Sequence, residues 1–194
     1  MPHWPKTTPH RQVEARPPIH ACHRPMKPTP ALPEHFAQIL ALNEASVHFL
    51  SPLSAARLAV LHQHAAYHRV ITDQNEVQAF LLAFAPGAPY DSINYQWFDR
   101  REKDFLYIDR IVVASGARAR GLGTLLYRDL FQVADSLGLR QVVCEFDIDP
   151  PNRVSEVFHL RFGFREVGRQ RVANGTKEVS LQSAAVPPAK AGGL

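Results

Sequence analysis

One stretch in the second half of the chain decides its fold: Ile111-Val112-Val113-Ala114-Ser115-Gly116-Ala117-Arg118-Ala119-Arg120-Gly121-Leu122-Gly123-Thr124. The branched residues at its start indicate a buried strand, and the leucines from Leu122 onward recur at helical spacing. At a turn between a strand and a helix, the first amide N–H groups have no intrahelical partner, and the helix dipole adds about half a positive charge. The stretch therefore predicts a binding site for a phosphate or pyrophosphate group.

The spacing of the glycines excludes two common phosphate-binding motifs. The dinucleotide motif G-x-G-x-x-G requires a glycine where this chain has Leu126, and its first strand should come early in the domain. The P-loop motif requires a lysine between glycine and threonine, whereas Thr124 follows Gly123 directly. An ordinary tight turn with solvated arginines is the remaining alternative.

Helical and strand patterns alternate on both sides of this turn, which is typical of a layered α/β domain. Strands are expected over 69–72, 77–84, 105–113, 141–148, 164–172 and 177–181, and helices over 33–47, 51–67, 122–137 and 152–161. The aromatic segment 95–98 is either a short helix or a loop. Ser51 followed by Pro52 predicts the start of the second helix, because serine caps helices and proline suits their first turn.

Charge and composition restrict the classes of function. The 194 residues are 45% hydrophobic and 21% charged, which fits one globular domain. Residues 1–32 carry the whole net charge of +4, so the remainder is formally neutral and unsuited to a nucleic-acid backbone. No apolar run approaches the roughly 20 residues of a membrane span. Two cysteines are too few for a disulfide framework, so we expect a cytoplasmic protein without membrane or nucleic-acid partners.

Both ends of the chain have the composition of flexible tails. Residues 1–32 are basic and rich in proline and histidine, which predicts disorder, and the histidine spacing predicts no metal site. Residues 184–194 form a second predicted tail, so we place a single domain at 33–183. Met26 is the only internal methionine and a candidate start of translation.

A second motif lies downstream, Asn152-Arg153-Val154-Ser155-Glu156-Val157-Phe158-His159-Leu160-Arg161-Phe162-Gly163-Phe164. Together with the R-x-x-G-x-G turn it resembles the GNAT superfamily of acetyl-CoA-dependent N-acetyltransferases, over about residues 33–183. The family signature is N-x-x-[AS]-x-x-[hydrophobic]-Y-x-x-x-G-F, and His159 stands where its tyrosine is usual. The resemblance implies a mixed, mostly antiparallel sheet with helices on both faces. Acetyl-CoA would lie where the sheet splays at its centre, between the strands at 107–113 and 141–147. Within the superfamily, uncharacterised bacterial members are the most similar.

The same resemblance implies the residues that hold acetyl-CoA. Backbone groups of Ile111 and Val113 would pair with the pantetheine arm, and the Val113 N–H would polarise the thioester carbonyl. The main chain of the glycine turn would hold the pyrophosphate. The full predicted set is Ile111, Val112, Val113, Arg118, Ala119, Arg120, Gly121, Leu122, Gly123, Thr124, Asn152 and His159.

Catalysis requires a group that takes a proton from the ammonium form of the acceptor. The strand period of two puts Glu145, Asp147 and Asp149 on one face, where carboxylates should raise one another's pKa. Glu145 and Asp147 are the predicted general bases, with a solvated polar face as the alternative. His159 is the candidate acid for the CoA thiolate, with simple packing as its alternative. Tyr107 stands where the histone-modifying branch carries a glutamate.

Acceptor recognition is implied for the first two helices and the segment 90–101. The predicted residues are Asn43, Glu44, Tyr90, Tyr95 and Trp97, although Trp97 could instead cap the core. The expected activity is direct acetyl transfer from acetyl-CoA to a primary amine of a small or amino-acid-like acceptor. The alternatives are a catalytically silent acyl-CoA-binding or sensing domain and a protein N-terminal acetyltransferase. A homodimer is compatible with the sequence.

Overall fold

The computed structural model describes residues 26–48 and 50–187. Over these residues the chain forms seven strands and five α-helices. In chain order they are β1 (Thr29–Pro30), α1 (Phe36–Glu44), α2 (Ala55–His64), β2 (Tyr67–Asp73), β3 (Glu76–Phe84), α3 (Ile93–Asp99), β4 (Phe105–Val113), α4 (Leu122–Ser136), β5 (Gln141–Asp149), α5 (Arg153–Leu160), β6 (Arg165–Val172) and β7 (Lys177–Ala185).

The strands form one sheet in the order β1-β2-β3-β4-β5-β7-β6. Every neighbouring pair is antiparallel except β4 and β5, which pair in parallel over only three residues each, 105–107 with 141–143. Beyond Tyr107 and Val143 the two strands diverge. The predicted fold, a mostly antiparallel sheet splayed at its centre, is confirmed.

Helices cover both faces of this sheet. On one face α4 buries Leu122, Leu126 and Leu130 against Leu106 and Ile108 of β4. Burying one leucine contributes about 1.5–3 kcal/mol, so this stripe fixes α4 and the turn that precedes it. On the opposite face, α3 packs on the first residues of β4, and α1 and α2 pack on β2 and β3.

The packed region is longer at both ends than the predicted 33–183. Thr29 and Pro30 pair with β2, and Ala31 is buried. At the other end β7 continues to Ala185, and the N–H of Val186 donates to the carbonyl oxygen of Arg140 at 2.8 Å. Pairing through backbone groups needs no hydrophobic periodicity, so the sequence pattern does not reveal these extensions. The predicted tail residues 1–25 and 188–194 lie outside the described residues.

The predicted helices and strands are present but differ at their ends, and β1 was not predicted. The helix expected from Ser51 begins at Ala55, because Ser54 is the cap and its hydroxyl accepts the N–H of Arg57 at 3.1 Å. The segment 95–98 is helical, within α3. In the stretches that the structure describes, no helix has the length and apolarity to cross a bilayer.

Candidate acetyl-CoA and acceptor site

The open edge of β4 faces the gap between β4 and β5. At the end of this strand, the N–H of Ala114 donates to the carbonyl oxygen of Gln78 on β3 at 2.8 Å. Backbone groups alternate in direction along a strand, so those of Val113 and Ile111 point away from β3 and toward the opening. The geometry fits an extended ligand that pairs with β4 as an added strand.

The glycine turn has a backbone that L-residues rarely adopt. Ala119 and Gly121 have φ angles of +62° and +78°, and Gly121 is the residue that caps α4. A Cβ atom at Gly121 would meet nothing within 4 Å, so the first amides of α4 are approachable there. Gly123 has a different role, because its Cβ would lie 3.2 Å from Cζ of Phe158 and would crowd α5.

The two arginines of the turn differ in their contacts. Both are exposed, and Arg120 donates to Oδ2 of Asp73 at the end of β2, at 3.0 Å. Leu122 is buried and anchors α4, whereas Thr124 is half-buried. The turn is thus tied to the β2–β3 hairpin on one side and to the core on the other.

Asn152 joins the start of α5 to the acidic strand. Its Oδ1 accepts the N–H of Ser155 at 3.1 Å, which caps the helix. Its own N–H donates to the carbonyl oxygen of Asp147 at 2.9 Å. The structure therefore places Asn152 beside the widening end of β5, with its side-chain oxygen committed to the cap.

The His159 side chain projects from α5 into the core and contacts α4. Its Nδ1 lies 2.7 Å from the carbonyl oxygen of Ser155, and its Nε2 lies 2.8 Å from the hydroxyl of Tyr127. This pairing fixes the neutral ring, with Nδ1 donating and Nε2 accepting. Burial lowers the pKa of His159 to about 4. Both ring nitrogens are thus engaged within the fold.

Glu145 lies at the opening, with its carboxyl group enclosed. Its Oε1 accepts two hydrogen bonds of 3.0 Å each, from Nδ2 of Asn94 and from the hydroxyl of Tyr107. Its buried Oε2 has no hydrogen-bond partner in the described part of the chain. Burial raises the pKa of Glu145 to about 8, while the two hydrogen bonds oppose this rise and the carboxylates of Asp109 and Asp147 add to it.

The other carboxylates of β5 are in different surroundings. Asp147 forms a 2.8 Å ion pair with Nζ of Lys177 on β7, and its side chain is 12% exposed. Asp149 is exposed and follows a bulge at Ile148. Across residues 26–48 and 50–187, no group of three or more His, Cys, Asp or Glu side chains could hold a metal ion.

A chain of polar side chains crosses the face of β4 that packs against α1. The buried guanidinium of Arg110 donates to Oδ2 of Asp109 at 2.5 Å and to Oδ1 of Asn43 at 2.7 Å. The hydroxyl of Tyr90 donates to the other oxygen of Asp109. Burial, followed by the Asp109 charge, raises the pKa of Tyr90 above its usual range. Asn43 and Tyr90 are thus brought together with β4.

The remaining predicted acceptor residues lie elsewhere. Glu44 is exposed at the end of α1. Tyr95 is buried, where its hydroxyl donates to the carbonyl oxygen of Ala85 at 2.8 Å. Trp97 is half-buried, and its ring lies under the guanidinium of Arg101, 4.2 Å from ring centroid to Cζ.

Four residues that the sequence analysis did not select are central to this arrangement: Asn94, Tyr107, Asp109 and Arg110. Asp109 is the extra residue of a bulge in β4, since Arg110 faces Leu82 while Ile108 faces Ala83. An Asp-Arg pair inside an otherwise apolar strand was the available signal for two of the four.

Comparison with known proteins agrees with the resemblance to the GNAT superfamily. A family model described as "Acetyltransferase (GNAT) family" matches residues 34–164. A phosphinothricin N-acetyltransferase of Streptomyces coelicolor is 43% identical over 61 residues, so the match spans 31% of this chain and about a third (34%) of that relative.

Solved structures share the fold at low sequence identity. Escherichia coli ribosomal-protein-S18-alanine N-acetyltransferase superposes with a TM-score of 0.63 at 12% identity, covering 87% of this chain and 99% of that one. The yncA protein of Salmonella typhimurium, solved with its cofactor acetyl-CoA, gives a TM-score of 0.65 at 15% identity, covering 87% and 98%. With the splayed sheet and the family match over two motifs, this chain belongs to the GNAT acetyltransferase family.

Proposed function

We propose that this protein transfers an acetyl group from acetyl-CoA directly to the primary amine of a small, amino-acid-like acceptor. The observation that carries the proposal is the enclosed Glu145 carboxyl at the β4–β5 opening, with its pKa raised to about 8. A carboxyl with a pKa near the working pH is suited to accept a proton from an ammonium group.

The residues around the opening fit acetyl-CoA. The backbone groups of Ile111 and Val113 point into the opening, where they would pair with the extended pantetheine arm of acetyl-CoA. The first amides of α4 near Gly121 are approachable by its pyrophosphate. The exposed Arg118 and Arg120 add positive charge at the same end. When bound, acetyl-CoA supplies the activated acyl thioester. Asn152 and the rest of the predicted cofactor set stay predictions.

In this proposal, the residues of the chain move one proton and stabilise one developing charge. The acceptor enters as an ammonium ion, and one of its N–H bonds breaks as an O–H bond forms at Glu145, which leaves a neutral amine. The N–H of Val113 donates to the oxygen that becomes negative during acyl transfer. As the new C–N bond forms and the C–S bond breaks, the nitrogen loses its second proton, which leaves with the sulfur as the thiol of CoA. The His159 ring, engaged with Tyr127 and Ser155, contributes by holding α5 rather than by donating a proton.

The acceptor side favours a small molecule. Tyr90 bonds across to Asp109, and Asn94 bonds across to Glu145, so the segment from Tyr90 to α3 closes over the strands. Asp109 is buried and paired with Arg110, and Asp147 is paired with Lys177, so neither carboxylate offers a free negative charge to a basic peptide. The name of the Streptomyces relative also gives a small molecule, phosphinothricin, as acceptor.

The first test is cofactor binding measured by thermal unfolding. Acetyl-CoA should raise the melting temperature, whereas NAD and ATP should not. Gly121→Val should abolish the shift, because a branched side chain both strains the positive φ and blocks the amides. Gly87→Val is the matched control, since Gly87 has a similar φ of +75° and open space around it. An unchanged shift in folded Gly121→Val would refute the assigned cofactor site.

The second test separates an enzyme from a silent binding domain. Release of free CoA is followed with a panel of amino acids, small amines and peptides with free N-termini. Acetylated small amines support the proposal. Cofactor binding without any product would favour the silent domain, and products confined to peptides would favour a protein N-terminal acetyltransferase.

A further inference from the structure

The two oxygens of Glu145 are in unequal surroundings. Both hydrogen bonds reach Oε1, one from the Asn94 amide and one from the Tyr107 hydroxyl. Oε2 is buried and has no partner in the described part of the chain. Two donors at Oε1 leave the proton of the neutral carboxyl on Oε2, because an oxygen that accepts two hydrogen bonds is a poor site for it.

The orientation of the Asn94 amide is fixed from the far side. Nε2 of Gln170, on edge strand β6, donates to Oδ1 of Asn94 at 2.9 Å. With Oδ1 occupied as an acceptor of this bond, the Nδ2 group faces Glu145. The reversed amide would set an oxygen against Oε1, which only a protonated carboxyl could tolerate. Gln170 therefore acts on Glu145 through Asn94.

The helix that carries Asn94 is held on β6 by a second contact. A Cβ atom at Gly168 would lie 2.7 Å from Cζ2 of Trp97, so the bare glycine lets α3 approach β6 closely. Asn94 itself is buried near the start of α3. These contacts hold the Asn94 amide in one place between β5 and β6, which are not neighbours in the sheet.

We infer that Asn94, oriented by Gln170, is a positioning residue that reserves Oε2 of Glu145 as the oxygen that takes the proton of the acceptor. This inference rests on the proposed function. In the proton transfer, the N–H bond of the ammonium breaks and an O–H bond forms at Oε2, while Oε1 keeps both of its hydrogen bonds.

Several other groups face Glu145 and bear on its titration. Tyr107 and Asp109 lie on β4, Tyr90 lies on the segment before α3, and Asp147 and Cys144 lie on β5. Lys177 of β7 is paired with Asp147. None of these groups is altered in the variants below, and Asn94→Leu adds no charge, so a change in the titration of that variant reports on the Asn94 amide.

The inference is tested by carbon-13 NMR titration of the Glu145 carboxyl in the full chain, assigned by its absence in Glu145→Gln. Asn94→Leu removes a donor to the ionised form, and Gln170→Glu offers Asn94 an acceptor that turns its oxygen toward Glu145. Both should raise the titration midpoint by about one pH unit, a tenfold change in the ionisation constant. Gln96→Glu is the control, because it adds the same charge to α3 at a residue bonded to Arg100.

The pH dependence of turnover with an identified acceptor provides the second readout. Raised midpoints in Asn94→Leu and Gln170→Glu, with the same displacement of the turnover profile and an unchanged Gln96→Glu, support the inference. Unchanged midpoints in the two variants overturn it, even if Glu145→Gln abolishes turnover and the proposed function stands. If the midpoints rise but turnover does not depend on Glu145, the base role of Glu145 fails, and with it this role of Oε2, whereas acetyl transfer to the acceptor stands.

Discussion

Replacing Glu145 with glutamine should stabilise the folded protein, and by more as the pH rises. Glutamine has the shape of the protonated glutamate and can accept the same hydrogen bonds from Asn94 and Tyr107. It cannot ionise, so the cost of a buried charge disappears. The replacement should also remove base catalysis, which typically contributes about 100- to 10,000-fold.

The sign and size of the stability change follow from the raised pKa of Glu145. Below pH 4.5 the carboxyl is neutral in both the folded and unfolded chain. Between pH 4.5 and about 8 only the unfolded chain loses the proton, so stability falls as the pH rises. Above pH 8 both forms are ionised and the loss is complete. Each pKa unit corresponds to about 1.4 kcal/mol, which sets an upper limit of about 5 kcal/mol. We expect about 2–4 kcal/mol, because water and relaxation reduce such costs in real proteins.

The assay is chemical denaturation of wild type and Glu145→Gln from pH 5 to pH 9. The difference in free energy of unfolding between them isolates Glu145, because the other titrating groups are common to both. Glu34→Gln, a change at an exposed residue, serves as the matched control. Parallel stability curves for wild type and Glu145→Gln across this range would refute the enclosed, high-pKa carboxyl.

Three further changes probe the packing around the site. Gly168→Ala should cost about 1–3 kcal/mol of stability in denaturation experiments, because the new Cβ would crowd the Trp97 ring. Adding Trp97→Phe should recover part of the lost stability. Equal losses in the single and double variants would contradict the close packing of Trp97 on Gly168. Asp109→Asn should cost about 3–5 kcal/mol, because it leaves the buried Arg110 charge without its carboxylate, and a loss below 1 kcal/mol would argue against the buried pair. The contribution of His159 to folding stability should be present above pH 6.5 and lost as the pH falls through about 4, because the unfolded chain binds the proton first. His159→Phe should therefore show a weaker acid dependence of its melting temperature than wild type. An identical dependence in the two proteins would contradict the buried neutral ring.

Much of the fold was predictable because its signals are local. The leucines of α4 lie at helical spacing, and the strands of the β2–β3 hairpin are separated by polar residues. Gln74 and Asn75 there adopt positive φ angles of 49° and 68°, as a tight hairpin turn requires. The β4–β5 splay followed from the family resemblance rather than from any pattern of residues.

The candidate site was less predictable because its contacts are non-local. Strand alternation correctly put Glu145 and Asp147 on one face, but nothing in β5 indicates that Lys177 neutralises Asp147. The expectation that a neighbouring carboxylate raises the pKa of Glu145 agrees with the effect of Asp147, but burial, which the strand pattern did not indicate, is the largest cause. One of the two hydrogen bonds to Glu145 comes from Asn94, on a helix 51 residues away in sequence.

The most direct test of the proposed chemistry is mass spectrometry of small amines incubated with acetyl-CoA and either wild-type protein or Glu145→Gln. We expect wild type to produce an N-acetylated small amine at a rate that rises with pH through about 8. Glu145→Gln should bind acetyl-CoA with nearly unchanged affinity and form product at least about 100-fold more slowly. Equal product formation by the two proteins, with the same pH dependence, would contradict the role assigned to Glu145.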